Sequence, residues 1–283
     1  MQSNPQHIQL LRAGVAAIRQ WREEHPNDIL QLCSANLMDL DLSDAPLYRA
    51  DFRMATLKNT KLERADLRAS TFMDAKLHCA NLNGANAEQC NFMGATLRDT
   101  RLTSMNLKRT NFSGARMKGA DLRASNLTGA KMCGAKMRDA ILRGAIIVNA
   151  DLSSVDLRGA DLREAILAKS DFRSALCNSA KMGKADFFQS NLTEADFEGA
   201  QLTSANLKHA RCIQCNFQRA NLKKANMLGY FVRADFRGAK LQDAFMLNGD
   251  FTGAKLSLTQ KFYMKHRNKQ QAKAEQELRE LEQ

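Results

Sequence analysis

Residues 150–164 read ADLSS-VDLRG-ADLRE, three consecutive five-residue units with leucine at the third position of each. Every fifth residue from Leu37 to Met227 continues this series, which resumes after a step of four residues at Phe231 and runs to Leu256. Of its 45 positions, 24 are leucine, 11 phenylalanine and 6 methionine, and the residue two before is alanine in 31. A five-residue period therefore organises most of the chain.

A period of five matches neither the 3.6-residue period of an α-helix nor the two-residue period of a flat strand. It fits a coil with four five-residue sides, in which every fifth side chain points inward and each coil stacks on the last by parallel backbone pairing. We name the positions of a unit around this apolar centre. The corner lies two residues before it, the leading position one before, the trailing position one after and the turn two after.

The leading position is often Asp or Asn, as in Ala65-Asp66-Leu67, Ala120-Asp121-Leu122 and Ala205-Asn206-Leu207. This A-[DN]-L-x-x pattern resembles the pentapeptide-repeat family. The resemblance implies an all-β solenoid, a right-handed quadrilateral β-helix, over residues 35–256. With 45 units and four units to a coil it predicts about eleven coils, which at ~4.8 Å per coil form a rod roughly 50 Å long.

The repeat divides the chain into an N-terminal helical cap (1–34), the β-helix (35–257) and a C-terminal cap with a charged helical tail (258–283). Both ends of an open solenoid expose unpaired backbone groups, so covers are expected there. One amphipathic cap helix is predicted from Asn4-Pro5 to a stop at His25-Pro26. A similar helix that ends in Trp-Arg-Glu-Glu precedes many long bacterial pentapeptide arrays.

The C-terminal end carries a different composition. Leu258, Phe262 and Met264 are expected to close the last coil. The tail from Lys265 to Gln283 is charged and rich in glutamine, with few apolar residues for a helix seam. It is either a frayed surface helix or a docking helix for a partner or a second copy.

Composition limits the class of protein. The 283 residues carry a formal net charge of +12. They contain no long apolar run and no signal peptide, which predicts a cytoplasmic protein without a transmembrane segment. Among seven cysteines, Cys212-x-x-Cys215 invites a zinc or redox interpretation. The register places both thiols in the core and no second pair follows, so buried structural thiols are favoured and no metal or cofactor is predicted.

The five-residue register places many of the lysines and arginines on two adjacent faces, because residues 20 apart share a face. One face carries cations at leading and trailing positions, and the adjacent face carries a second column. We predict that these basic faces bind a partner through Lys58, Lys76, Arg98, Arg116, Lys118, Lys136, Arg138 and Arg158 on the first face and Arg123, Arg143 and Arg163 on the second. The alternative is that interleaved aspartates such as Asp99, Asp121 and Asp156 neutralise both columns.

A third face carries outward apolar residues on successive coils, namely Ile146, Val148, Ile166 and Phe188. A contiguous patch of this kind predicts contact with another protein or with a second copy. The alternative is apolar scatter of the sort that protein surfaces tolerate.

No catalytic constellation is present. The register sets none of the five histidines beside a nucleophile, and no G-x-x-x-x-G-K, H-E-x-x-H or G-x-S-x-G motif occurs. The chain is therefore predicted not to be an enzyme. The leading hypothesis is a rigid, linker-like scaffold that binds an acidic protein assembly through its basic faces and apolar patch, and the alternative is a direct binder of nucleic acid or anionic membrane. The best-studied relatives imitate DNA with an acidic rod and protect a type II topoisomerase, a role that the basic charge disfavours.

The four-residue step from Met227 to Phe231 removes one residue from a corner. We predict a local irregularity at 228–231 and none of comparable size elsewhere. Gly229 is expected to adopt a positive φ there.

Overall fold

The computed structural model describes residues 3–266. Helix α1 spans Pro5–Arg12 and helix α2 spans Val15–Glu24. The cap therefore contains two helices and not the single one predicted. The break lies at Gly14, whose φ of 97° cannot continue an α-helix. A third helix, α3, covers 258–266 up to the last described residue.

Between these helices the backbone forms a ladder of parallel bridges between residues 20 apart. The ladder begins at Gln31–Asp51, slightly before the predicted start, and ends at Asp235–Lys255. Only the leading residue of each unit is bridged, so each side is turn-like and contains no longer strand within the described residues. We number the four sides by the leading residues of the first coil: face 1 begins at Gln31, face 2 at Asn36, face 3 at Asp41 and face 4 at Pro46.

Each unit turns the chain through a residue in the left-handed region. Apart from the unit at the four-residue step, every turn residue from Ser34 to Gly253 has a φ between 54° and 73°. Most are not glycine; Glu164 and Lys184 are examples. Two hydrogen bonds hold the left-handed conformation at Glu164. The N–H of Glu164 donates to the carbonyl of Gly183 on the next coil, and the N–H of Ala165 donates back to the carbonyl of Leu162. Stacking therefore offsets a local conformational cost of about 1 kcal/mol per residue.

The centres fill the axis of the coil. Leu67, Leu122 and Leu207 have no exposed surface, as the register predicted. On face 1 the rings of Phe52, Phe72, Phe92 and Phe112 stack with centroid distances of 4.6, 4.6 and 5.1 Å. Polar corner residues are also satisfied: the Thr100 hydroxyl, for example, donates to the Leu77 carbonyl at 2.8 Å. The interior thus needs neither water nor a ligand at these sites.

The N-terminal cap bonds to the open edge of the first coil. The N–H of Asn4 donates to the carbonyl of Gln31, and the N–H of Gln31 donates to Nδ1 of His7. Buried Arg22 donates to the carbonyls of Asp28, Pro46 and Tyr48. Pro46 occupies a leading position of this first coil, where an N–H would point away from the ladder, and proline has no N–H.

The C-terminal cover differs from the prediction. Met264 is buried, but Leu258 and Phe262 are 85% and 75% exposed, so they do not close the last coil. They lie four residues apart on one side of α3, and a polar residue between them makes the closing contacts instead: the Gln260 amide donates to the carbonyls of Phe236 and Ala239. The predicted charged tail beyond residue 266 lies outside the described residues.

The four-residue step is local, as predicted. Bridges across it join residues 19 apart, beginning with Arg211–Tyr230, and the 20-residue spacing returns at Tyr230–Asp250. The predicted positive φ at Gly229 is wrong, because this residue has taken over the corner position and the turn residue is the one missing. Glycine is needed there for space: a Cβ would lie 2.7 Å from the Ala210 carbonyl oxygen and 2.8 Å from that of Leu207.

Candidate interaction surfaces

Most aspartates at leading positions hold an arginine at the trailing position of the same unit. The carboxylate accepts from Nε and a terminal nitrogen of the guanidinium in a two-pronged ion pair. Seven such pairs occur: Asp51–Arg53, Asp66–Arg68, Asp121–Arg123, Asp156–Arg158, Asp161–Arg163, Asp171–Arg173 and Asp235–Arg237. These bonds lower the pKa of Asp156 and Asp161 and keep both ionised. The sequence signal D-x-R would have revealed these pairs.

This pairing removes the second predicted basic column. Arg123 and Arg163 on face 3 belong to D-x-R pairs, and Arg143 pairs with Glu164 at 3.1 Å. On face 2, Arg158 is held by Asp156 and Arg98 contacts Asp99 at 3.3 Å. Five of the eleven predicted basic residues are therefore already neutralised within the described chain.

The remaining six predicted cations all lie on face 2. Within residues 3–266 their side chains form no ion pair within 4 Å, and all are exposed. We call these residues the basic face: Lys58, Lys76, Arg116, Lys118, Lys136 and Arg138. They escape pairing because the leading position of their units is never acidic; it is Thr56, Lys76, Arg116 or Lys136. Bridges Lys76–Thr96 and Arg116–Lys136 stack the rows directly on one another.

Face 2 changes sign further along the rod. Beyond the Asp156–Arg158 pair, its leading and trailing positions carry Asp196 and Glu198. Asp196 accepts from the amides of Asn178 and Asn216, and Glu198 pairs with Arg219. Apart from Lys255 on the last coil, the unpaired positive charge of the described part of this face thus lies in its N-terminal half.

The predicted apolar residues do lie together, on face 4. Ile146 and Ile166 are bridged and are 36% and 42% exposed, while Val148 and Phe188 at trailing positions are half-buried. We call these four residues the apolar stripe. The stripe extends to His209, whose ring meets that of Phe188 edge-on at 5.7 Å. His209 was missed from sequence because a turn residue gives no sign of which neighbour its ring will contact.

Most other chemistry-bearing groups are paired or packed, but the buried Thr71 hydroxyl has no hydrogen-bond partner among the described residues. A depression of about 820 Å³ beside the cap is lined by Ile29, Arg49 and Thr71 together with the paired Asp51 and Arg53. Within residues 3–266, no group of three His, Cys, Asp or Glu side chains is placed to hold a metal ion.

The predicted structural thiols are buried. Cys212 and Cys215 both lie in the core, and the Cys215 thiol donates to the Leu192 carbonyl. Burial raises the pKa of Cys212 well above its ordinary value and that of Cys90 to about 12. Such thiols are poor ligands and poor nucleophiles at neutral pH.

A four-sided coil with one inward residue in every five is a β-helical solenoid, and the chain is therefore a repeat protein of this class. The chain belongs to the family described as Pentapeptide repeats, whose model matches repeatedly over residues 50–86, 90–129, 120–159, 145–175, 170–208, 200–229 and 230–260. The fold of this family is a right-handed β-helical solenoid, and its members are in general structural or interaction proteins. The comparison with curated proteins found no match.

Several solved structures are similar to this chain. HetL, a pentapeptide repeat protein involved in heterocyst differentiation regulation from Nostoc sp. strain PCC 7120, is 26% identical over 83% of this chain and 94% of its own, with a TM-score of 0.47. QnrB1, a plasmid-mediated fluoroquinolone resistance protein, is 18% identical over 75% of this chain and 95% of its own, with a TM-score of 0.40. A pentapeptide repeat protein of the Arabidopsis thaliana thylakoid lumen is 30% identical over 37% of this chain and 66% of its own, with a TM-score of 0.27.

None of the described helices has the length and apolar content needed to cross a bilayer.

Proposed function

We propose that this protein is a rigid, non-enzymatic interaction scaffold that binds an acidic partner assembly through the basic face. One observation carries the proposal: over five successive units of face 2, from Thr56 to Arg138, no leading or trailing residue is acidic, and four of these five units carry a cation without an ion pair among the described residues. Rows of like charge about 4.8 Å apart repel one another and weaken the stack. An anionic partner would turn this repulsion into attraction.

The apolar stripe gives the scaffold a second contact. Faces 2 and 4 are opposite sides of the four-sided coil, so a partner on the basic face leaves the stripe open. A protein partner or a second copy would cover Ile166 and Phe188. Two surfaces on opposite sides of a stiff rod suit a linker that joins two components of an assembly.

The charge argues for a role different from DNA imitation. An imitation of DNA needs a continuous negative surface, whereas this chain carries a net charge of +12 and its longest uncompensated row is positive. We also propose a cytoplasmic location, because all seven cysteines are without disulfide bonds.

Charge reversal on the basic face tests the function. The test variant is Arg116→Glu/Lys118→Glu/Arg138→Glu, which avoids Arg158 because a glutamate there would face Asp156. The control Lys108→Glu/Lys223→Glu/Lys240→Glu changes net charge equally at exposed leading or trailing positions of faces 3 and 4, away from the apolar stripe. Affinity capture from a lysate of the source cells at low and high salt should recover partners with wild type and control, and lose them with the test variant and in high salt. Equal recovery by both variants would contradict the assignment.

A further inference from the structure

We propose that the anionic partner of the basic face is the phosphate backbone of a duplex nucleic acid, bound without regard to base sequence. The inference rests on the proposed function, since it names the partner of the same surface. It is argued from the composition, density and accessibility of that face.

The basic face lacks the anchors of a protein interface. From Thr56 to Arg138, the ten leading and trailing side chains of face 2 are all Thr, Lys, His or Arg. Protein partners obtain most of their affinity from a few central Trp, Tyr or Arg side chains in desolvated pockets, and of these three residue types the face offers only arginine. Phosphate backbones need only cations and hydrogen-bond donors in register. The composition therefore favours phosphate over the surface of an acidic protein.

Cation density is highest on two stacked units. Arg116 and Lys118 lie one coil from Lys136 and Arg138, and Arg116 is bridged to Lys136. None of these four side chains has an acidic partner within 4 Å among the described residues, while nearby Asp156 is occupied by Arg158. Two guanidinium forks and two ammonium groups in such an area match closely spaced phosphates, which arginine binds through paired hydrogen bonds.

The edge of the face leaves room for a broad ligand. Gly114 and Gly134 are the turn residues just before Arg116 and Lys136, and a Cβ at either would meet nothing within 4 Å. From Lys58 to Arg138 the face spans four coil steps, about 19 Å. A duplex carries one negative charge per about 1.7 Å, so this length presents roughly eleven phosphates, more than the cations require. The absence of aromatic side chains from these positions argues against a single strand, whose bases need stacking surfaces.

Salt dependence gives the proposal a quantitative test. The full-length protein is titrated with a fluorescent 20-base-pair DNA duplex at 50 to 200 mM NaCl. If all six cations contact phosphates, the logarithm of the binding constant should fall with the logarithm of salt with a slope of about −5, roughly a thousandfold loss over this range. Duplexes of different sequence should give the same values. Arg116→Glu/Lys118→Glu/Arg138→Glu should reduce the slope to about half or less, and the Lys108/Lys223/Lys240 control should keep the wild-type slope.

Competition separates the inference from the proposed function. Polyglutamate and phosphatidylserine vesicles are added at equal total charge, and each should displace the duplex only weakly. Tight binding of polyglutamate without duplex binding would overturn the inference while the acidic-partner scaffold stood. Preferential binding of vesicles would overturn it in favour of a membrane surface. If no polyanion bound, or if the test variant bound as tightly as the control, the basic face would have no such role and both proposals would fail.

Discussion

The Arg22 guanidinium donates a hydrogen bond of 2.6 Å to the carbonyl oxygen of Tyr48, and its central carbon lies 4.2 Å from the centroid of the Tyr48 ring. The same side chain bonds the carbonyls of Asp28 and Pro46 and stacks near Trp21. Arg22 thus donates hydrogen bonds to carbonyl groups that would otherwise accept them from a preceding coil.

Removal of Arg22 should destabilise the first coil. Arg22→Leu leaves three buried or half-buried carbonyls without a partner, and each such group costs about 1–3 kcal/mol. We expect the free energy of unfolding of the first coil, measured by urea denaturation with tyrosine and tryptophan fluorescence, to fall by several kcal/mol. Arg12→Leu, on the exposed side of α1, is the matched control. Equal stability of both variants would show that the cap holds by apolar contact alone.

The cap should also respond to pH through His7. Its Nδ1 accepts the N–H of Gln31 and cannot do so when protonated, and burial together with the Arg22 charge lowers the pKa of His7 below its ordinary value of 6.5. The folded state therefore binds this proton less tightly than the unfolded state. The stabilisation is complete above pH 6.5 and is lost as pH falls through the lowered pKa.

Thermal melts between pH 7.5 and 5 measure this loss. His7→Asn keeps a side-chain acceptor but does not titrate, so its melting temperature should fall less than that of wild type. Parallel curves for the two proteins would rule out His7 as the group responsible.

Substitutions at Gly229 and Gly134 distinguish a need for space from a need for a left-handed backbone conformation. Gly229→Ala places a Cβ against two carbonyl oxygens and should cost about 1–3 kcal/mol of stability, as overpacking does. Gly134→Ala has open space around it, and Ala124 already adopts a φ of 56° at an equivalent turn, so its cost should not exceed about 1 kcal/mol. Chemical denaturation of both variants checks the order, and a larger effect at Gly134 would contradict this explanation.

The D-x-R pairs should differ in strength from ordinary surface ion pairs. The Asp156 side chain is 7% exposed and bonds Arg158 at 2.7 Å, whereas Arg98 and Asp99 are both more than half exposed. Double-mutant cycles with alanine should give a larger coupling energy for Asp156–Arg158. Because Arg158 lowers the pKa of Asp156, this coupling is present at neutral pH and is lost as pH falls through the lowered pKa, below 3.8. A coupling no larger than that of Arg98–Asp99 would show that burial of Asp156 does not strengthen its pair with Arg158.

The apolar stripe should act separately from the basic face. Ile166→Ser/Phe188→Ser removes exposed apolar area without touching the core, so the fold should persist while a stripe-bound protein dissociates faster or a homo-oligomer falls apart. Light scattering and dissociation rates measure these effects. Met54→Ser, at a 53% exposed methionine on face 1, is the control. If the stripe variant matched this control in both measurements, the stripe would be surface scatter.

Much of the fold follows from sequence, because the period of a repeat fixes which side chains point inward and which residues stack on one another. Once the period is known, a residue such as Leu122 must point inward and Arg138 must lie one coil from Lys118, whatever the remaining side chains do. The extent of the coil, the grouping of the apolar stripe and the site of the irregularity all follow from this counting. Local chemistry adds the start of α1, where the Asn4 side chain accepts from the N–H of Gln6.

The remaining features of the structure depend on contacts between side chains that the five-residue period does not specify. The period puts Arg163 and Lys136 on outward positions alike, but only the geometry of each unit shows that the first is held by Asp161 and the second has no such partner. Gly229 is required because carbonyl oxygens of the preceding coil approach it. The last coil is closed by the Gln260 amide, which donates to two carbonyls, and by buried Met264, while Leu258 stays exposed. Sequence determined which residues are inside, since burial of a regular series is a property of the period. The tertiary structure alone decided which charges stay uncompensated and what seals the ends, since those depend on atoms brought together across coils.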